Sequence, residues 1–247
     1  MKQKRFSNQK EEPECPLCNF KTKKFLPGGL NKEVLKKYKV IGAGFRKNKF
    51  CPKCGSKDRE RHLYLYIKLR ERFFSNKKLI KVLHIAPEKC LSKKIKKMKN
   101  SDYYAIDLNE LLGSVKMDIK NMNFNNDYFD YIICLHVLEH IEDDVKAMKE
   151  LFRVLKKNGI LFLMVPFSLT IKSSIEDKKI KSPNEREKKF GQADHIRIYS
   201  KKDFLERLNK SGFKISEESL DKLYGKEIIR KYALIKGEKI FVCKKRS

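Results

Sequence analysis

The feature that most constrains the fold of this chain is the alternation, from residue 79 onward, of short apolar segments with amphipathic ones. The apolar segments read LIKVLHIA, DYYAID, YFDYIICL and GILFLMVP. They are too short for typical helices, and two are almost uninterrupted, as is typical of strands buried on both faces of a parallel sheet. We therefore predict an α/β fold with a doubly wound sheet, in which ligands bind beyond the carboxyl ends of the strands.

Between these segments the sequence predicts amphipathic helices over residues 88–99 and 144–157. The second helix begins among acidic residues, which suit a helix N-terminus. It is followed by Asn158 and Gly159, a pair typical of a helix C-terminus, so we expect the helix to end there.

A further helix is expected over residues 58–74, where Ser56 can serve as the cap and the apolar side chains form a broad stripe. Its first turn carries Arg59, Arg61 and His62. We expect these three side chains to be exposed, where they either bind an anionic ligand or form a solvated first turn.

Four of the seven cysteines form two CxxC pairs, Cys15 with Cys18 and Cys51 with Cys54. Each pair brings two thiolates to one side of a tight turn, and two such turns complete a tetrahedral zinc site. Disulfides and a thioredoxin-like redox pair are the alternatives, but the redox motif needs a strand-to-helix setting that these pairs lack. Four protein ligands leave no coordination position open, so this zinc is expected to be structural. The other cysteines lie in apolar surroundings and are expected to be buried and inert: Cys90, Cys134 and Cys243.

The chain is strongly basic, with a formal net charge of +28 over 247 residues, and 47 of its 59 basic residues are lysine. Two interpretations stay open, a solvated lysine coat and a nucleic-acid surface. Residues 101–170 hold 7 basic and 11 acidic residues, a local charge of 7 − 11 = −4, so the excess lies outside this stretch. No apolar run reaches the roughly 18 residues of a membrane span. The start of the chain has no apolar segment typical of a secretory signal, so we expect a cytoplasmic protein.

The segments VLHIAPE, YYAIDLN, VKMDIKNMNF, YFDYIICLHVLEHIEDD and LFRVLKKNGILFLMVP follow one another over about residues 79–245. In order and spacing they resemble class I S-adenosylmethionine-dependent methyltransferases of the type related to ubiquinone and menaquinone methyltransferases. The whole chain also resembles bacterial methyltransferase-domain proteins with an N-terminal CPxC…CPxCGS ribbon and a late FGQxDHxRxY motif. The resemblance implies a Rossmann-like, seven-stranded sheet over residues 79–247, preceded by a zinc-ribbon module (1–57) and a linking helix (58–78). Residues 168–199 would form an acceptor loop or lid.

The resemblance also implies where S-adenosylmethionine would bind. Asp107 would accept hydrogen bonds from the ribose hydroxyls, Asp118 would contact the adenine amino group, and Ile119 would pack against the ring. The remaining cofactor positions are His84, Ala86, Glu88, Leu108 and Leu135.

The first of these motifs departs from the family, because HIAPEKC contains none of its usual glycines. Ala86 would still allow a close approach of the backbone, and Pro87 would leave N–H groups of the next helix free for the cofactor carboxylate. The short spacing from Asp107 to Asp118 predicts a loop in place of the usual helix.

Two groups of residues are candidates for catalysis. His136, Glu139 and His140 follow the fourth strand, and some relatives hold a divalent metal at the matching positions, although His136 replaces an acid there and suits magnesium less well. Helix capping and packing are the structural alternative for these residues.

The second group lies in the segment FGQADHIRIY, where His195 beside Asp194 would act as the general base. Arg197 could bind a phosphate or carboxylate, with Tyr199 and Gln192 as further substrate contacts. A loop anchored by a salt bridge and an aromatic side chain is the alternative. The insertion over residues 220–237 is expected to be basic and exposed, with no assigned role.

Three functions remain open at this point. The first is methylation of a small molecule or glycan, most simply at oxygen, which the FGQADHIR segment favours. The second is an RNA methyltransferase that docks rRNA or tRNA with its zinc ribbon and basic surface, although no Asn/Asp-Pro-Pro-Tyr/Phe motif follows the fourth strand. The third is a binding module that has lost its cofactor, which the retained Asp107 and Asp118 argue against.

Overall fold

The computed structural model describes residues 12–71, 73–75, 77–110 and 114–245. Residues 1–11 lie outside this range. They carry the expectation of a start without a secretory signal and the first part of the predicted zinc-ribbon module. Among the described residues, no helix combines the length and apolar character that crossing a membrane requires.

The N-terminal part of the chain contains three short strands and two helices. They are β1 (Leu26–Gly28), α1 (Glu33–Lys37), β2 (Val40–Ile41), β3 (Arg46–Phe50) and α2 (Asp58–Arg70). We refer to residues 12–57 as the N-terminal module.

The rest of the chain alternates strands and helices as expected. The elements are β4 (Ile80–Ile85), α3 (Lys89–Lys96), β5 (Ser101–Asp107), β6 (Val115–Lys116), β7 (Phe129–Leu135), a 3₁₀ turn (Leu138–His140), α4 (Asp144–Val154), β8 (Leu155–Met164), β9 (Phe167–Ser168), β10 (Ile175–Glu176), α5 (Pro183–Phe190), β11 (Arg197–Ser200), α6 (Lys201–Lys210), β12 (Phe213–Glu218), α7 (Leu220–Tyr224), α8 (Lys226–Lys231) and β13 (Ile240–Lys245).

Seven of these strands form one sheet in the order β12-β13-β8-β7-β4-β5-β6. The five strands from β8 to β6 run parallel, whereas β13 is antiparallel to both of its neighbours. The sequence prediction of an α/β, Rossmann-like seven-stranded sheet is confirmed. Between β5 and β6 the described residues form no helix, as the short spacing predicted, with residues 111–113 outside the described range.

The apolar runs arise because the central strands are buried on both faces. Along β4, Val82 belongs to a core shared with α2 and α3, while Leu83 and Ile85 belong to a second core on the opposite face, shared with α4 and α6. Such a strand has no solvent-facing side, so apolar residues are favoured at consecutive positions.

One predicted helix end was wrong. Helix α4 ends at Val154, and β8 begins at the next residue, so Asn158 and Gly159 lie inside a strand. A Cβ atom on Gly159 would approach the carbonyl oxygens of Phe129 and Asp130 to 3.0 Å, so the glycine here permits close strand contact instead of ending a helix.

The expectation of an exposed first turn in α2 was also wrong for Arg61 and His62, which are 0% and 1% exposed. The Arg61 guanidinium donates to the carbonyl oxygens of Asn48, Lys49, Ser56, Tyr232 and Ala233. Arg61 therefore ties α2 to the N-terminal module on one side and to the end of α8 on the other.

The start of α2 differs from the prediction as well. Lys57 occupies the cap position, and its N–H donates to Glu60 Oε2 at 2.8 Å. Ser56 instead lies against the sulfurs of Cys15 and Cys54, at 3.3 and 3.2 Å.

The insertion over 220–237 is not simply exposed, because it packs on the N-terminal module and α2. Leu220, Ile228 and Leu234 are buried in the same core as α2. The Glu14 N–H also donates to the carbonyl oxygen of Lys231. The insertion thus covers the outer face of α2.

The N-terminal module also joins the predicted lid segment through a second sheet, ordered β10-β11-β9-β2. In it Val40 of β2 pairs with Ser168, and Ile41 pairs with Phe167. The segment 168–199 is therefore structured, with α5 and three strand segments, and one of its neighbours is the N-terminal module.

Candidate functional site

A cavity of about 440 Å³ lies at the carboxyl ends of the parallel strands. We call it the strand-end cavity, and it is lined by Ile85, Ala86, Ile106, Asp107, Leu108, Asn109, Met117, Ile119, His136, Val137, His140, Ile141 and Asp194. Its position is the one at which doubly wound sheets bind ligands.

The turn that leaves β4 brings the backbone to this cavity without a glycine. Ala86 adopts φ = 46°, a left-handed conformation that is uncommon for residues with a Cβ. Its small side chain lines the cavity, so the backbone approaches the cavity here without a glycine, at the cost of some backbone strain.

His84 and Glu88 lie beside this turn, but neither lines the cavity. The buried His84 ring contacts the Tyr103 hydroxyl at 2.9 Å and Glu88 Oε2 at 3.0 Å. Glu88 also accepts from Arg59 Nε at 3.1 Å. The two residues therefore form a buried network beside the cavity, and a direct contact of either with the cofactor stays a prediction.

The expectation of free N–H groups after Pro87 was wrong. The N–H groups of Cys90 and Leu91, in the first turn of α3, both donate to Glu60 Oε1 at 3.1 Å. A carboxylate of the protein thus already occupies this helix N-terminus.

The remaining cofactor candidates divide into two groups. Asp107, Leu108 and Ile119 line the cavity, and Asp107 Oδ1 accepts the N–H of Asn109 at 2.9 Å, which fixes this carboxylate at the rim. Asp118 lies near the cavity, 3.5 Å from Lys120, and Leu135 is buried within β7; neither lines it.

A second cavity of about 540 Å³ lies between the N-terminal module and the strand ends. We call it the module cavity, and it is lined by Gly29, Leu30, Leu35, Gly42, Ala43, Gly44, Arg46, Lys49, Lys57, Arg59, His136, Glu139, His140, Pro166, Gly191, Gln192, Asp194 and His195. His136, His140 and Asp194 line both cavities, so the two spaces adjoin at these residues.

At this junction three histidines lie around the buried Glu139, and a second buried acid, Glu238, lies 3.9 Å from His136 Nε2. Glu139 Oε1 lies 3.4 Å from His136 Nδ1 and 4.0 Å from His140 Nε2. The His195 ring packs edge-on against the His140 ring, with centroids 4.7 Å apart. The 3₁₀ turn and the left-handed conformation of His136, with φ = 55°, direct these side chains toward one another.

The electrostatics of the junction are unusual, because Glu139 is 1% exposed and neither carboxylate oxygen has a hydrogen-bond partner among the described atoms. Burial opposes its ionisation, but His136 and the other two histidines outweigh burial and lower the pKa of Glu139 to about 2. Burial lowers the pKa of His195 to about 4. At neutral pH the junction therefore holds a carboxylate anion beside an uncharged imidazole of His195.

This group could also hold a metal ion. Ligand atoms of Glu139, His140 and His195 lie within 4.8 Å of one another. His140 Nδ1 is 3.1 Å from the carbonyl oxygen of Asp194, which directs Nε2 toward Glu139. A set with two imidazoles suits zinc or another transition ion better than magnesium.

The segment 192–195 lies across both cavities. Gln192 Nε2 donates to Asp194 Oδ1 at 2.7 Å, and Asp194 Oδ2 lies 3.4 Å from His140 Nδ1. The acid that we expected to support His195 thus directly contacts the neighbouring histidine.

The structure does not support the expected substrate contacts of Arg197 and Tyr199. Arg197 is 4% exposed and donates to the carbonyl oxygens of Leu138, Ile141 and Glu142 and to Glu176. The buried Tyr199 hydroxyl donates to Asp144 Oδ2 at 2.7 Å. Both side chains instead hold the 3₁₀ turn and the start of α4 in place, which is the structural alternative considered above.

The four paired cysteines converge as predicted. Sγ atoms of Cys15 and Cys54, and those of Cys18 and Cys51, are 3.7 Å apart. Tetrahedral ligands at a zinc–sulfur distance of about 2.3 Å are about 3.8 Å apart, so the spacing fits zinc.

The three cysteines outside the CxxC pairs differ in how deeply they are buried. Cys134 and Cys243 are buried as expected, whereas Cys90 is only half-buried, and its Sγ lies 3.0 Å from the carbonyl oxygen of Cys54.

Sequence reasoning missed the basic wall of the module cavity. Arg46, Lys49 and Lys57 line it together with Arg59, the one residue of the three at the start of α2 that meets a cavity. The sequence carried only a weak signal for this wall: Arg46 and Lys49 lie in β3, Lys57 follows the turn that holds Cys51 and Cys54, and the neighbours of these residues in space are not visible in the sequence.

Comparisons with known proteins agree with this architecture. Residues 59–218 match the family described as "Methyltransferase domain". No curated protein matches the sequence at a significant level.

Among solved structures, the chain is similar to phosphoethanolamine N-methyltransferase 2 of Haemonchus contortus (15% identity, 74% of this chain and 53% of that chain, TM-score 0.49). It is also similar to a SAM-dependent methyltransferase from Aquifex aeolicus (17%, 71% and 86%, TM-score 0.42). A third is the 1,6-didemethyltoxoflavin-N1-methyltransferase of Burkholderia thailandensis (12%, 69% and 72%, TM-score 0.44). These similarities are weak, and the assignment rests on the family match together with the strand order. The chain belongs to the methyltransferase-domain family and is a class I S-adenosylmethionine-dependent methyltransferase.

Proposed function

We propose that this enzyme transfers a methyl group to a small-molecule or glycan acceptor, at an oxygen atom. The observation that carries the proposal is the meeting of two cavities at His136, His140 and Asp194. A donor in one cavity and an acceptor in the other would meet at this junction, and such alignment is the main requirement of methyl transfer.

In this proposal the strand-end cavity holds S-adenosylmethionine. The cavity fits the group, because Asp107 offers a carboxylate at its rim, Ile119 offers an apolar wall, and Ala86 brings the backbone close. A carboxylate suits a vicinal diol because its two oxygens can each accept a hydrogen bond. When bound, the cofactor supplies an electrophilic methyl group on a sulfonium.

The module cavity would hold the acceptor. At about 540 Å³ it lies in the range of small-molecule sites. The N-terminal module lines it on one side and residues 191–195 line it on the other.

His195 would act as the general base, because it lines the acceptor cavity next to the junction; burial lowers its pKa to about 4, so the imidazole is uncharged at neutral pH and free to accept a proton, but it is a weaker base than an ordinary histidine. Its imidazole nitrogen would accept the hydroxyl proton as the acceptor oxygen takes the methyl group, whose bond to the sulfonium sulfur would break and release S-adenosylhomocysteine. Glu139 would stabilise the resulting imidazolium, since its carboxylate is buried with no other hydrogen-bond partner in the described structure. His140, His136, Asp194 and Gln192 would position these groups.

We further propose that Cys15, Cys18, Cys51 and Cys54 hold a structural zinc ion. The sulfur spacing supports this, and the four ligands leave zinc no open position for catalysis. We also propose that the HVLEHI segment, which builds the junction, reflects a relation to the ubiquinone and menaquinone methyltransferases.

The test is transfer of tritium from labelled S-adenosylmethionine into host extract, with and without ribonuclease, followed by size fractionation. Label in ribonuclease-resistant glycan or low-mass material is expected. Loss of label with ribonuclease would contradict the proposal and favour RNA as the acceptor.

A variant tests the base. His195→Ala is expected to keep cofactor affinity by calorimetry and to lose most turnover, on the order of 10²-fold or more. Lys181→Ala is the control in the same lid segment, since Lys181 is exposed and pairs with Glu142 at 3.0 Å. Turnover that survives in His195→Ala would overturn the base assignment.

A further inference from the structure

The basic wall of the module cavity carries more positive charge than its partners neutralise. Arg46, Lys49, Lys57 and Arg59 all line this wall. The opposite wall carries the histidines together with Glu139 and Asp194, so the cavity has a cationic side and an acid-and-imidazole side.

Both arginines of this wall are held by buried carboxylates. Arg46 Nε donates to Asp58 Oδ2 at 2.6 Å, and Asp58 is 2% exposed. Arg59 Nε donates to Glu88 Oε1 at 3.1 Å, and Glu88 is 6% exposed. These two pairs fix the guanidinium groups and leave little net charge on them.

The two lysines differ from the arginines in this respect. Among the described residues, neither Lys49 nor Lys57 has a carboxylate within ion-pair distance. Glu60 lies near Lys57, but its oxygens accept backbone N–H groups of Lys57, Cys90 and Leu91. Glu60 remains a nearby anion for Lys57, so what distinguishes the two lysines is that their ammonium groups have no ion pair of their own among the described residues.

The environment of the lysines opposes their charge. Lys49 shares the cavity wall with Arg46, and burial, followed by Arg59, lowers the pKa of Lys57, although Glu88, Glu60 and Asp58 act in the opposite direction. Ammonium groups held near guanidinium groups without a counter-ion are stabilised by an anionic ligand. A phosphate monoester carries a charge of about −1.5 to −2 at neutral pH, which matches two ammonium groups without ion pairs better than a single carboxylate does.

We propose that the acceptor is a phosphorylated molecule whose phosphoryl group binds Lys49 and Lys57, while its methylated hydroxyl lies at the opposite wall near His195. This proposal rests on the proposed function, because it assigns the module cavity to the acceptor. The N-terminal module thereby selects the acceptor, in addition to holding zinc.

Binding of inorganic phosphate to the full-length, zinc-loaded protein tests the proposal without any need for turnover. Wild type is expected to bind phosphate, measured by ³¹P line broadening or calorimetry. The double variant Lys49→Gln/Lys57→Gln is expected to bind at least about tenfold more weakly, since each lost charge-assisted contact alone is of that order.

The matched control is Lys47→Gln, because Lys47 is an exposed lysine on the same strand β3 that does not line the cavity. It is expected to bind phosphate as wild type does. Unchanged S-adenosylmethionine affinity and unchanged thermal unfolding of the double variant would exclude misfolding. Failure of wild type to bind phosphate, binding of acetate in its place, or equal binding by the double variant would overturn the proposal.

A second arm uses the extract assay and separates this proposal from the proposed function. Treating the extract with phosphatase before the reaction is expected to lower tritium incorporation. Incorporation that resists phosphatase would refute a phosphorylated acceptor while leaving methyl transfer established. No incorporation with either the treated or the untreated extract would contradict the proposed function. The phosphate-binding measurement would then test only whether Lys49 and Lys57 bind an anion.

Discussion

The buried imidazole of His62 should make the stability of this enzyme depend on pH. His62 lies in α2, is 1% exposed, and neither ring nitrogen has a hydrogen-bond partner among the described atoms. Burial lowers its pKa from the ordinary 6.5 to about 4. In the unfolded chain this histidine takes up a proton near pH 6.5, whereas in the folded chain it resists protonation until about pH 4.

The sign follows from this difference in proton binding. The unfolded state binds more protons between these pH values, so the free energy of unfolding falls as the pH is lowered through them. A difference of one pKa unit is worth about 1.4 kcal/mol, which gives a loss of about 2 kcal/mol at about pH 5 and about 3.4 kcal/mol well below pH 4. Above pH 7 the contribution of His62 is fully present.

Urea unfolding of wild type and His62→Leu, both saturated with zinc, at about pH 7.5 and about pH 5 measures this contribution. Wild type should lose about 2 kcal/mol more than the variant on acidification. Groups common to both proteins, such as His195 and the cysteines, cancel in this comparison. Equal losses in the two proteins, or a His62 ring that titrates near pH 6.5 by NMR, would refute the burial argument.

Three further predictions concern zinc binding, cofactor binding and the stability of the predicted lid segment. Elemental analysis of wild type is expected to give roughly one zinc per chain; Cys18→Ser should lose it and lower the Tm by roughly 10 °C or more, whereas Cys90→Ser should keep the metal, and equal zinc content in both variants would contradict the site. Asp107→Ala should weaken S-adenosylmethionine binding about 10- to 100-fold by calorimetry with little change in Tm, while unchanged affinity would remove Asp107 from the cofactor site. Arg197→Met should destabilise the protein by about 2–4 kcal/mol in urea unfolding, because it removes the guanidinium donor of the Ile141 and Glu142 carbonyl groups, while Glu176 keeps its ion pair with Arg207. A variant that is stable but has a raised KM would restore Arg197 as an acceptor contact.

The central sheet could be predicted from the sequence because burial on both faces produces apolar runs that hardly depend on distant partners. Ile80–Ile85 and Phe129–Leu135 fall inside the predicted segments for this reason. The end of α4 could not be predicted in this way. The Asn158–Gly159 pair is a local signal for a helix end, but pairing of Leu155 with Phe129 starts the strand three residues earlier. A tertiary contact outweighed a local propensity.

The surroundings of α2 show even more strongly that local sequence signals do not reveal long-range contacts. Charged residues at the start of a helix usually face solvent, so the sequence favoured exposure of Arg61. In the structure its donors reach the carbonyl oxygens of Tyr232 and Ala233, 171 and 172 residues away. No local pattern records that the cysteine knuckles and a C-terminal insertion cover this helix from two sides.

Long-range packing also explains which residues of the candidate site could be predicted from the sequence. The strand-end residues were predictable because the carboxyl ends of parallel strands meet at one edge, which places Asp107 and His136 in one cavity. Lys49 and Lys57 of the module cavity could not be predicted in this way, because the N-terminal module supplies them. The position of that module against the sheet depends on strand pairs such as Val40 with Ser168.

The position of the cysteines connects the zinc site to the proposed acceptor wall. Cys51 directly follows β3, which carries Lys49, and Cys54 precedes Lys57 by three residues. A zinc ion that holds Cys51 and Cys54 therefore fixes the chain on either side of the knuckle, and with it the spacing of the two lysines. A closed, four-cysteine site cannot polarise a substrate, but in this chain it sets the geometry of the surface that the acceptor meets. Loss of zinc should consequently weaken phosphate binding before it affects the strand-end cavity, which the parallel sheet supports independently.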